Sequence, residues 1–330
     1  MSEGQPRAVV LSGGLAYERD VSLRSGRRVA EALRHAGVDT TVLDADGDLL
    51  ARLAADPADS LFIALHGAAG EDGSLRSVLE LAGVPFVGTP AQRCRIAWDK
   101  PSAKAAVRAA GHRTPHWVAL PHSTFRELGA EAILDLIVAR LGLPLLVKPA
   151  QGGSALGVER IGAAEDLPSA MVSCFAYGDT VLVERFVAGT EVAVSVLDGA
   201  DGPRALPAVE IAPTSGVFDY AARYTAGMTA YHTPARLPVE VSARVGQLGV
   251  AVHLALGLRD LSRTDAIIDS AGEVHFLEVN VSPGMTETSM LPMSIAAAGL
   301  DLGRTLRAMI ATAAAREPAI RTASLPGVRT

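Results

Sequence analysis

Short apolar runs alternate with amphipathic stretches along the first ninety residues of the chain. The runs that predict β-strands span residues 7–11, 40–43, 60–65 and 84–87. Helical periodicity covers 21–36, which Gly37 ends, and 74–81. Strands that alternate with helices pair in parallel and carry helices on both faces. This region therefore predicts a doubly wound parallel sheet within an α/β fold.

The pattern changes after residue 90. Helices are predicted at 99–110 and 131–141, and strands at 144–148, 180–184, 191–197, 205–211, 264–268 and 274–278. The closely spaced later strands predict antiparallel pairing. The polar segment 213–234 is too long for a simple turn, so we interpret it as a candidate lid. We divide the chain into units 1–89, 90–184 and 185–330.

Composition narrows the classes of function. The 330 residues are 49% hydrophobic and carry a net charge of −6 with no long basic run, which disfavours nucleic acid or an anionic membrane as a partner. No apolar stretch is long enough for a membrane span, and the amino terminus lacks a secretory signal pattern. Cys94 and Cys174 are too few for a disulfide framework. We therefore expect a cytoplasmic protein.

Lysine and asparagine are rare in this chain. Lysine occurs only at Lys100, Lys104 and Lys148, and asparagine only at Asn280. A nucleotide bias of the source genome accounts for the depletion but does not explain the exceptions. Lysine is a compact point charge that arginine replaces poorly beside a phosphate, and asparagine supplies a neutral oxygen ligand. These four positions are therefore the first candidates for chemistry.

Three oxygen-bearing side chains follow two neighbouring predicted strands. Asp265 lies in one strand, Glu278 ends the next, and Asn280 shares a face with Glu278 because side chains alternate along a strand. Two carboxylates and an amide oxygen, without His or Cys, are typical of a Mg²⁺ site. The spacing alone is more typical of an acidic surface hairpin with a turn.

Two further segments have patterns typical of nucleotide binding. The loop 149–157 follows a predicted strand and contains three glycines and Ser154, so its backbone N–H groups could approach phosphate oxygens beside Lys148. Glu184 and Glu191 flank the connection between two strands, where backbone groups can pair with adenine and a carboxylate can bind ribose hydroxyls. A flexible loop and a charged hairpin are the alternatives.

Polar residues also follow the predicted parallel strands. Gly13, Gly14 and Glu18 come after the first strand, and His66 comes after the third. Doubly wound sheets bind ligands at these carboxyl ends. Glu18 could hold a substrate ammonium, or it could act only as an acid at a helix start. His66 is interpreted as a hydrogen-bonded histidine near the sheet.

Together these segments resemble the D-alanine:D-alanine ligases of the ATP-grasp superfamily. The resembling segments, in family order, are LSGGLAYERDVSLRSG (11–26), ALHGAAGEDG (64–73), DK (99–100), VKPAQGGS (147–154), DYAARY (219–224), RTD (263–265) and EVNVSPGM (278–285). The resemblance implies an ATP-grasp fold that follows the amino-terminal α/β domain. It also implies catalysis of D-alanyl-D-alanine formation for peptidoglycan, through an acyl phosphate.

The resemblance implies roles for particular residues in binding ATP and two Mg²⁺ ions, with Mn²⁺ as a possible substitute. It assigns the phosphates to Lys100 and Lys148, adenine to Glu184 and Val187, and ribose to Glu191. The implied metal ligands are Asp265, Glu278 and Asn280. The segment 213–234 would act as a lid that carries Arg223 and Tyr224 and keeps water from the acyl phosphate.

The resemblance also implies roles in binding the amino acids. Glu18 would orient the ammonium of the first D-alanine, supported by Ser154 and Tyr224. Arg263 and the backbone N–H of Gly284 would stabilise the oxyanion. The second D-alanine would lie beside Ser289 and Met290. Tyr224 favours an amine over a hydroxy acid as the nucleophile, and the family implies a homodimer.

The chain departs from the family pattern at Ala155, Arg223, Phe186, Arg76-Ser77 and the run before Asp99. Arg76-Ser77 lies on the side of the first amino acid, so a relative that joins other amino acids remains an alternative. A Rossmann oxidoreductase that uses Asp44 or Asp46 is a remote alternative, because the Gly-x-Gly-x-x-Gly pattern is absent. A nucleotide sensor without catalysis is a third.

Overall fold

The computed structural model of the chain describes residues 5–214, 225 and 227–317, and three β-sheets organise them. The first sheet has the strand order β2-β1-β3-β4, and all its pairings are parallel. Its strands are β1 (Arg7–Ser12), β2 (Asp39–Asp44), β3 (Ser60–Ile63) and β4 (Phe86–Val87). The prediction of a parallel amino-terminal sheet is confirmed.

Helices cover both faces of this first sheet. They are α1 (Arg19–His35), α2 (Leu49–Ala55), α3 (Ala68–Glu71) and α4 (Ser74–Leu81). Ala8 and Val10 pack in one core with α1, whereas Val9 and Leu11 pack in another with α2. The alternation follows from the period of two along a strand buried on both faces.

The second sheet is antiparallel and has the order β5-β8-β6-β7. Its strands are β5 (Trp117–Pro121), β6 (Leu145–Pro149), β7 (Glu159–Ile161) and β8 (Thr180–Arg185). The nearby helices are α7 (His122–Leu128), α8 (Ala130–Leu141), a 3₁₀ turn (Ala164–Asp166) and α9 (Leu167–Phe175). Val147 and Val183 lie in the core that α8 and α9 complete.

The third sheet is also antiparallel, as its sequence pattern predicts. Its order is β12-β11-β9-β13-β14, and β10 pairs with the far end of β9. The strands are β9 (Thr190–Gly199), β10 (Gly202–Ala205), β11 (Val209–Pro213), β12 (Thr229–His232), β13 (Leu261–Ile268) and β14 (Val274–Asn280). Strand β13, which lies between β9 and β14, is buried along its whole length.

Several helices pack on a sheet that is distant from them in sequence. The remaining helices are α5 (Ala91–Trp98), α6 (Lys100–Ala109), α10 (Val239–Ala255), α11 (Met290–Ala297) and α12 (Leu302–Ala314). Helices α5, α6 and α10 share a core with the third sheet, and α12 packs on the first sheet. Each predicted unit contains one sheet, while α6 and α12 connect units. The boundaries at 89 and 184 remain a prediction.

The structure differs from the sequence prediction in segment 205–211 and in helix α10. The predicted strand 205–211 is two strands, because Pro207 has no backbone N–H for a ladder and separates β10 from β11. Helix α10 was not predicted, since its many valines and two glycines weaken the helical pattern. Gly249 in α10 is required by packing, because a Cβ there would lie 2.8 Å from Val194 Cγ1.

Contacts between distant segments hold the first and third sheets together. The carboxylate of buried Asp260 accepts a 2.7 Å hydrogen bond from Gly88 N and forms an ion pair with Arg316. On another side, His66 Nδ1 donates to Ser282 O at 3.0 Å. The parallel sheet that carries Glu18 is thereby fixed relative to the sheet that carries Asp265.

The predicted lid lies partly outside the described residues. Of segment 213–234, the structure describes 213–214, 225 and 227–234, which include β12. Arg223 and Tyr224 are not among them. Among the helices that the structure does describe, none has the length and apolarity needed to cross a membrane.

Replacing Gly189 by alanine should destabilise the fold. Gly189 precedes β9, and an added Cβ would lie 2.0 Å from the carbonyl oxygen of Ile268 in β13, so the two strands must separate. We expect a loss of about 2 kcal/mol in the free energy of unfolding, as for other overpacked sites. Urea denaturation measures it.

Gly162→Ala is the matched control, because no atom lies within 4 Å of a Cβ at that position. It should leave the midpoint of unfolding nearly unchanged. Equal midpoints for Gly189→Ala and the unmodified protein would contradict the close approach of these two strands.

Candidate functional site

Two cavities adjoin each other between the sheets. The larger, about 560 Å³, lies between the second and third sheets, and the smaller, about 180 Å³, lies between the loops of the first sheet and the end of β14. Both cavities are lined by Lys100, Gly152, Gly153 and Glu278. A long ligand in the larger cavity would therefore meet a small ligand in the other.

The fourteen predicted site residues that the structure describes all line one of these two cavities. The larger is lined by Lys100, Lys148, Glu184, Val187, Glu191, Asp265 and Glu278. The smaller is lined by Glu18, Ser154, Arg263, Asn280, Gly284, Ser289 and Met290. The remaining two predicted residues, Arg223 and Tyr224, lie outside the described part of the chain.

The glycine-rich loop after β6 forms the rim between the cavities. Ser154 and Ala155 adopt left-handed backbone conformations, with φ of 57° and 55°, so the loop curls tightly. Lys100 fixes it from below, since its Nζ donates to Gly152 O at 2.6 Å and its backbone N donates to Ala150 O at 2.9 Å. Asp99 caps α6 and keeps Lys100 at the start of that helix.

A buried carboxylate lies between two buried ammonium groups at the base of the larger cavity. Glu184 Oε1 is 2.6 Å from Lys148 Nζ, and Glu184 Oε2 is 2.8 Å from Lys104 Nζ. The Glu184 side chain is 1% exposed and that of Lys104 is 0% exposed. Because charges leave water only when they are paired, these three groups form one electrostatic unit.

The pKa values of the unit follow from burial and pairing. Burial lowers the pKa of Lys104 to about 8, although the carboxylate of Glu184 opposes this change. Burial alone would lower the pKa of Lys148 as well, but Glu184 and Glu278 raise it above its usual value. Burial raises the pKa of Glu184, yet the two lysines hold it below its usual value. Glu184 is therefore ionised at neutral pH.

Oxygen donors from β13 and β14 meet at the junction of the cavities. Asp265 and Glu278 are cross-strand partners, and a register shift follows Asp265. Both carboxylate oxygens of Asp265 accept hydrogen bonds from the buried Arg263, at 2.7 Å each, and Glu278 Oε2 is 3.4 Å from Lys100 Nζ. Asn280 Oδ1 accepts from Ser282 N at 2.7 Å.

This donor set fits Mg²⁺ that is shared with a substrate. The described residues contain no group of three or more His, Cys, Asp or Glu side chains placed to bind a metal. Asp265, Glu278 and the amide oxygen of Asn280 therefore cannot enclose an ion without further ligands. Mg²⁺ usually keeps water molecules and phosphate oxygens in addition to one or two carboxylates. The site is thus open on the side of the larger cavity.

Glu18 connects the first sheet to the glycine-rich loop. It precedes α1, but its side chain caps no helix N–H, and its Oε1 instead accepts a 2.8 Å hydrogen bond from Ser154 Oγ. The two residues are 136 positions apart in sequence. The side chain of Glu18 lines the smaller cavity, where a carboxylate can bind an ammonium group.

His66 and Glu71 also line the smaller cavity, and both are buried. The sequence motif contains Glu71, but no role was predicted for it. Burial raises the pKa of Glu71 to about 7, and burial lowers the pKa of His66 to about 4. His66 is therefore neutral, and since Ser282 O can only accept, His66 Nδ1 carries the proton and Nε2 accepts from Ser25 Oγ at 3.1 Å.

The far wall of the smaller cavity is the loop before α11. Gly284 lies so close to Ser289 that a Cβ would be 2.6 Å from Ser289 Oγ. Ser289 Oγ accepts from Thr286 N at 3.0 Å, which fixes the loop. Met290 begins α11 and packs on Ala193 and the third sheet.

Lys104 and Trp98 are further site residues that the sequence motifs did not assign. Trp98 lines the smaller cavity, and Lys104 contacts Glu184 from behind the larger one. The rarity of lysine was a signal for Lys104. No comparable signal existed for Trp98. Asp44, which the oxidoreductase alternative assigned to a dinucleotide, instead pairs with Arg19 at 2.5 Å and accepts from Gly14 N at 2.9 Å.

Comparisons with known proteins agree with this geometry. A family model described as "D-ala D-ala ligase C-terminus" matches residues 106–311. The chain is 41% identical over 295 residues to a D-alanine–D-alanine ligase from Anaeromyxobacter dehalogenans (strain 2CP-C), covering 89% of this chain and 92% of the relative. It is 39% identical over 307 residues to one from Bordetella petrii, covering 93% and 92%.

Solved structures of such ligases are similar to this chain along most of its length. The D-alanine–D-alanine ligase from Bacillus anthracis has a TM-score of 0.79 and 30% identity, covering 94% of this chain and 97% of its own. Its ATP complex has a TM-score of 0.75 and 28% identity, with 94% and 96% covered. The VanG D-Ala:D-Ser ligase from Enterococcus faecalis has a TM-score of 0.79 and 28% identity, with 93% and 99% covered.

The buried carboxyl of Glu71 should make folding stability depend on pH. Its pKa is about 7 in the folded protein and near 4.5 in the unfolded chain, so the folded state binds more protons between these values. The contribution of Glu71 to the free energy of unfolding therefore falls as the pH rises from 4.5 to 7. Over that pH range, the free energy of unfolding of Glu71→Gln should rise by on the order of 2 kcal/mol relative to that of the unmodified protein.

Urea denaturation at a series of pH values measures this difference, and His66, which titrates in the opposite sense, is present in both proteins. Glu31→Gln removes an exposed carboxyl of α1 and is the matched control, which should leave the profile unchanged. A Glu71→Gln profile parallel to that of the unmodified protein would mean that Glu71 is ionised in the fold.

Proposed function

The chain belongs to the D-alanine–D-alanine ligase family, and we propose from this that it joins two D-alanine molecules in an ATP-dependent reaction. The product, D-alanyl-D-alanine, is used in peptidoglycan synthesis. One observation supports this function above the others: the two cavities share the walls Lys100, Gly152, Gly153 and Glu278. A nucleotide in the larger cavity would present its terminal phosphate to an amino acid in the smaller one.

ATP binding is supported by the lining of the larger cavity and by the similarity to an ATP-bound structure. We propose that Glu184 and the backbone at Val187 bind adenine and that Glu191 binds ribose. Lys100 and Lys148 would neutralise the phosphates, and N–H groups of the glycine-rich loop would approach them closely. Because the lysine side chains are held by Gly152 and Glu184, they would lose little conformational freedom on binding.

The residues Asp265, Glu278 and Asn280 would hold Mg²⁺ beside the phosphates. When bound, the ion supplies positive charge that makes the terminal phosphorus a better electrophile. In addition, Arg263 orients Asp265 through two hydrogen bonds, and Lys100 balances the charge of Glu278. The carboxylates are thus held in place before the substrates bind.

In the first step, the carboxylate of one D-alanine attacks the γ-phosphorus of ATP. An O–P bond forms, the bond to ADP breaks, and the amino acid becomes an acyl phosphate. Glu18 would bind its ammonium group, with Ser154 Oγ fixing the Glu18 side chain at 2.8 Å. This arrangement would aim the carboxylate at the junction of the two cavities.

In the second step, the free amine of another D-alanine attacks the acyl carbon. The tetrahedral intermediate carries a negative oxygen. When it collapses, the C–O bond to phosphate breaks, and the nitrogen loses a proton that the departing phosphate accepts. Arg263 uses Nε and Nη2 for Asp265, so its Nη1 is the group we propose for this oxyanion, together with Gly284 N–H. Loss of one such donor typically costs about 10²- to 10³-fold in rate. Ser289 and Met290 would border the second amino acid.

Water must be excluded because it hydrolyses an acyl phosphate. The lid carrying Arg223 and Tyr224 remains a proposal from the family resemblance, since neither residue is described. A cytoplasmic location is likewise proposed, with two free buried cysteines as compatible features. The homodimer stays a prediction that the molar mass in solution would test.

D-Serine as the second substrate is an alternative with a specific observation in its favour. The VanG D-Ala:D-Ser ligase has the same TM-score, 0.79, as a D-alanine–D-alanine ligase. The two products differ only in the second amino acid, so the wall beside Ser289 and Met290 is the part of the site that we propose to decide between them. Family membership and the engaged Asp44 argue against the oxidoreductase alternative.

Phosphate release should require ATP, Mg²⁺ and D-alanine together. We would measure inorganic phosphate with D- and L-amino acids, D-serine and D-lactate, alone and in pairs with D-alanine, and identify each product by mass spectrometry. D-Alanine alone should give the highest rate and D-alanyl-D-alanine as the product. Release with another amino acid but none with D-alanine would refute the substrate and retain the ligase chemistry.

Asn280→Ala should raise the Mg²⁺ concentration needed for half-maximal phosphate release by about tenfold, because it removes one oxygen donor. Asn280→Asp is the matched control, since it keeps an oxygen for the metal and for Ser282 N–H. Its Mg²⁺ concentration for half-maximal phosphate release should lie closer to that of the unmodified protein. If both variants kept the original Mg²⁺ requirement, Asn280 would not be a ligand.

A further inference from the structure

Lys104 has no assigned role in the proposed reaction, although it is one of only three lysines. Its side chain is 0% exposed, and its Nζ lies 2.8 Å from Glu184 Oε2. It is absent from the lining of the larger cavity, whereas Glu184 and Lys148 both line it. Lys104 therefore reaches Glu184 from behind the nucleotide cavity.

Helix α6 accounts for this placement. Lys100 and Lys104 are one turn apart and lie on the same face of the helix. Lys100 reaches the glycine-rich loop at Gly152 O, and Lys104 reaches into the second sheet beneath it. The Lys104 ammonium lies 5.3 Å from the centre of the Trp117 ring, so it also contacts an aromatic face.

The net charge of Lys104, Lys148 and Glu184 depends on the second lysine. Glu184 carries one negative charge and lies between two ammonium groups at 2.6 and 2.8 Å. The three side chains together have a net charge of about +1, which faces the cavity through Lys148. With Lys148 alone, Glu184 would cancel that charge, and the phosphates would meet a neutral pair.

We propose that Lys104 is a positioning residue for nucleotide binding: by pairing with the rear oxygen of Glu184, it leaves the positive charge of Lys148 uncompensated toward the phosphates. It also fixes the Glu184 carboxylate that borders the adenine site. The inference rests on the proposed function, because it requires that a nucleotide occupy the larger cavity.

The charge of Lys104 should depend on pH, and nucleotide binding should change that charge. The charged groups that face Lys104 are Glu184 from β8, Lys148 from β6 and Arg108 from α6. With a pKa near 8, Lys104 loses part of its charge in mildly alkaline solution. A bound triphosphate would raise this pKa, so binding above pH 8 would be accompanied by proton uptake at Lys104.

The first test compares Lys104→Met with Glu184→Gln alone and with the double variant Lys104→Met/Glu184→Gln. Calorimetry would measure binding of Mg²⁺ with a non-hydrolysable ATP analogue, and assays would give KM for ATP and kcat. We expect Lys104→Met to bind about tenfold more weakly, with a raised KM and a smaller change in kcat. The double variant should bind about as tightly as Glu184→Gln alone, because Lys148 is uncompensated in both and the change at the adenine site is common to both.

Arg316→Met is the matched control. It removes a cation from the ion pair with Asp260, outside both cavities, and should leave analogue affinity unchanged. Circular dichroism and thermal unfolding would show that each variant folds. A folded Lys104→Met with unchanged affinity would overturn the inference, as would a double variant that binds about tenfold more weakly than Glu184→Gln alone.

A second measurement does not depend on variants that fold. Calorimetry of the unmodified protein at pH 8.5 in two buffers of different ionisation enthalpy gives the number of protons taken up on binding. We expect uptake that diminishes at pH 7 and, if Lys104→Met folds, is reduced in that variant. Binding without uptake at pH 8.5 would overturn the inference. If the unmodified protein bound no analogue at all, the proposed function itself would fail.

Discussion

The buried carboxylates Asp265 and Glu184, which line the larger cavity, each meet a cation, and the arrangement of the site depends on that pairing. Asp265 is engaged by Arg263, and Glu184 lies between two lysines. An isolated ionised carboxylate in such surroundings would be neutralised or would destabilise the fold by several kcal/mol. The pairs hold the oxygen donors in fixed directions before any substrate binds, and those of Glu184 connect β6, β8 and α6 into one framework.

Local sequence patterns predicted the elements that carry this framework. The apolar run 7–11 predicted strand β1, and the helical periodicity of 74–81 predicted α4. The resemblance to known motifs predicted the ATP-grasp fold, which the structural similarities confirm. These motifs can be recognised locally because Lys148 lies near the end of β6, just before the glycine-rich loop, and Asp265 lies two residues after Arg263 in β13. Pro207 was the neglected signal that divided one predicted strand into two.

What local sequence patterns could not predict are contacts between residues far apart along the chain. Ser154 meets Glu18 across 136 residues, and Lys104 meets Glu184 because α6 passes behind the second sheet. Neither distance follows from local periodicity. The neutral state of His66 is also a tertiary property, since burial lowers its pKa to about 4. Residue type indicated which groups could do chemistry, but packing determined their charge and their partners.

The packing of α12 on the first sheet has a consequence for synthesis on the ribosome. Leu306 and Ile310 of this late helix complete the core that contains Val10 and Phe62. While the chain is emerging, α1 therefore covers this face of the amino-terminal sheet only in part until some three hundred residues have been translated. The nascent polypeptide must carry an exposed apolar surface through most of its elongation, which is the circumstance in which chaperones that bind emerging chains are needed.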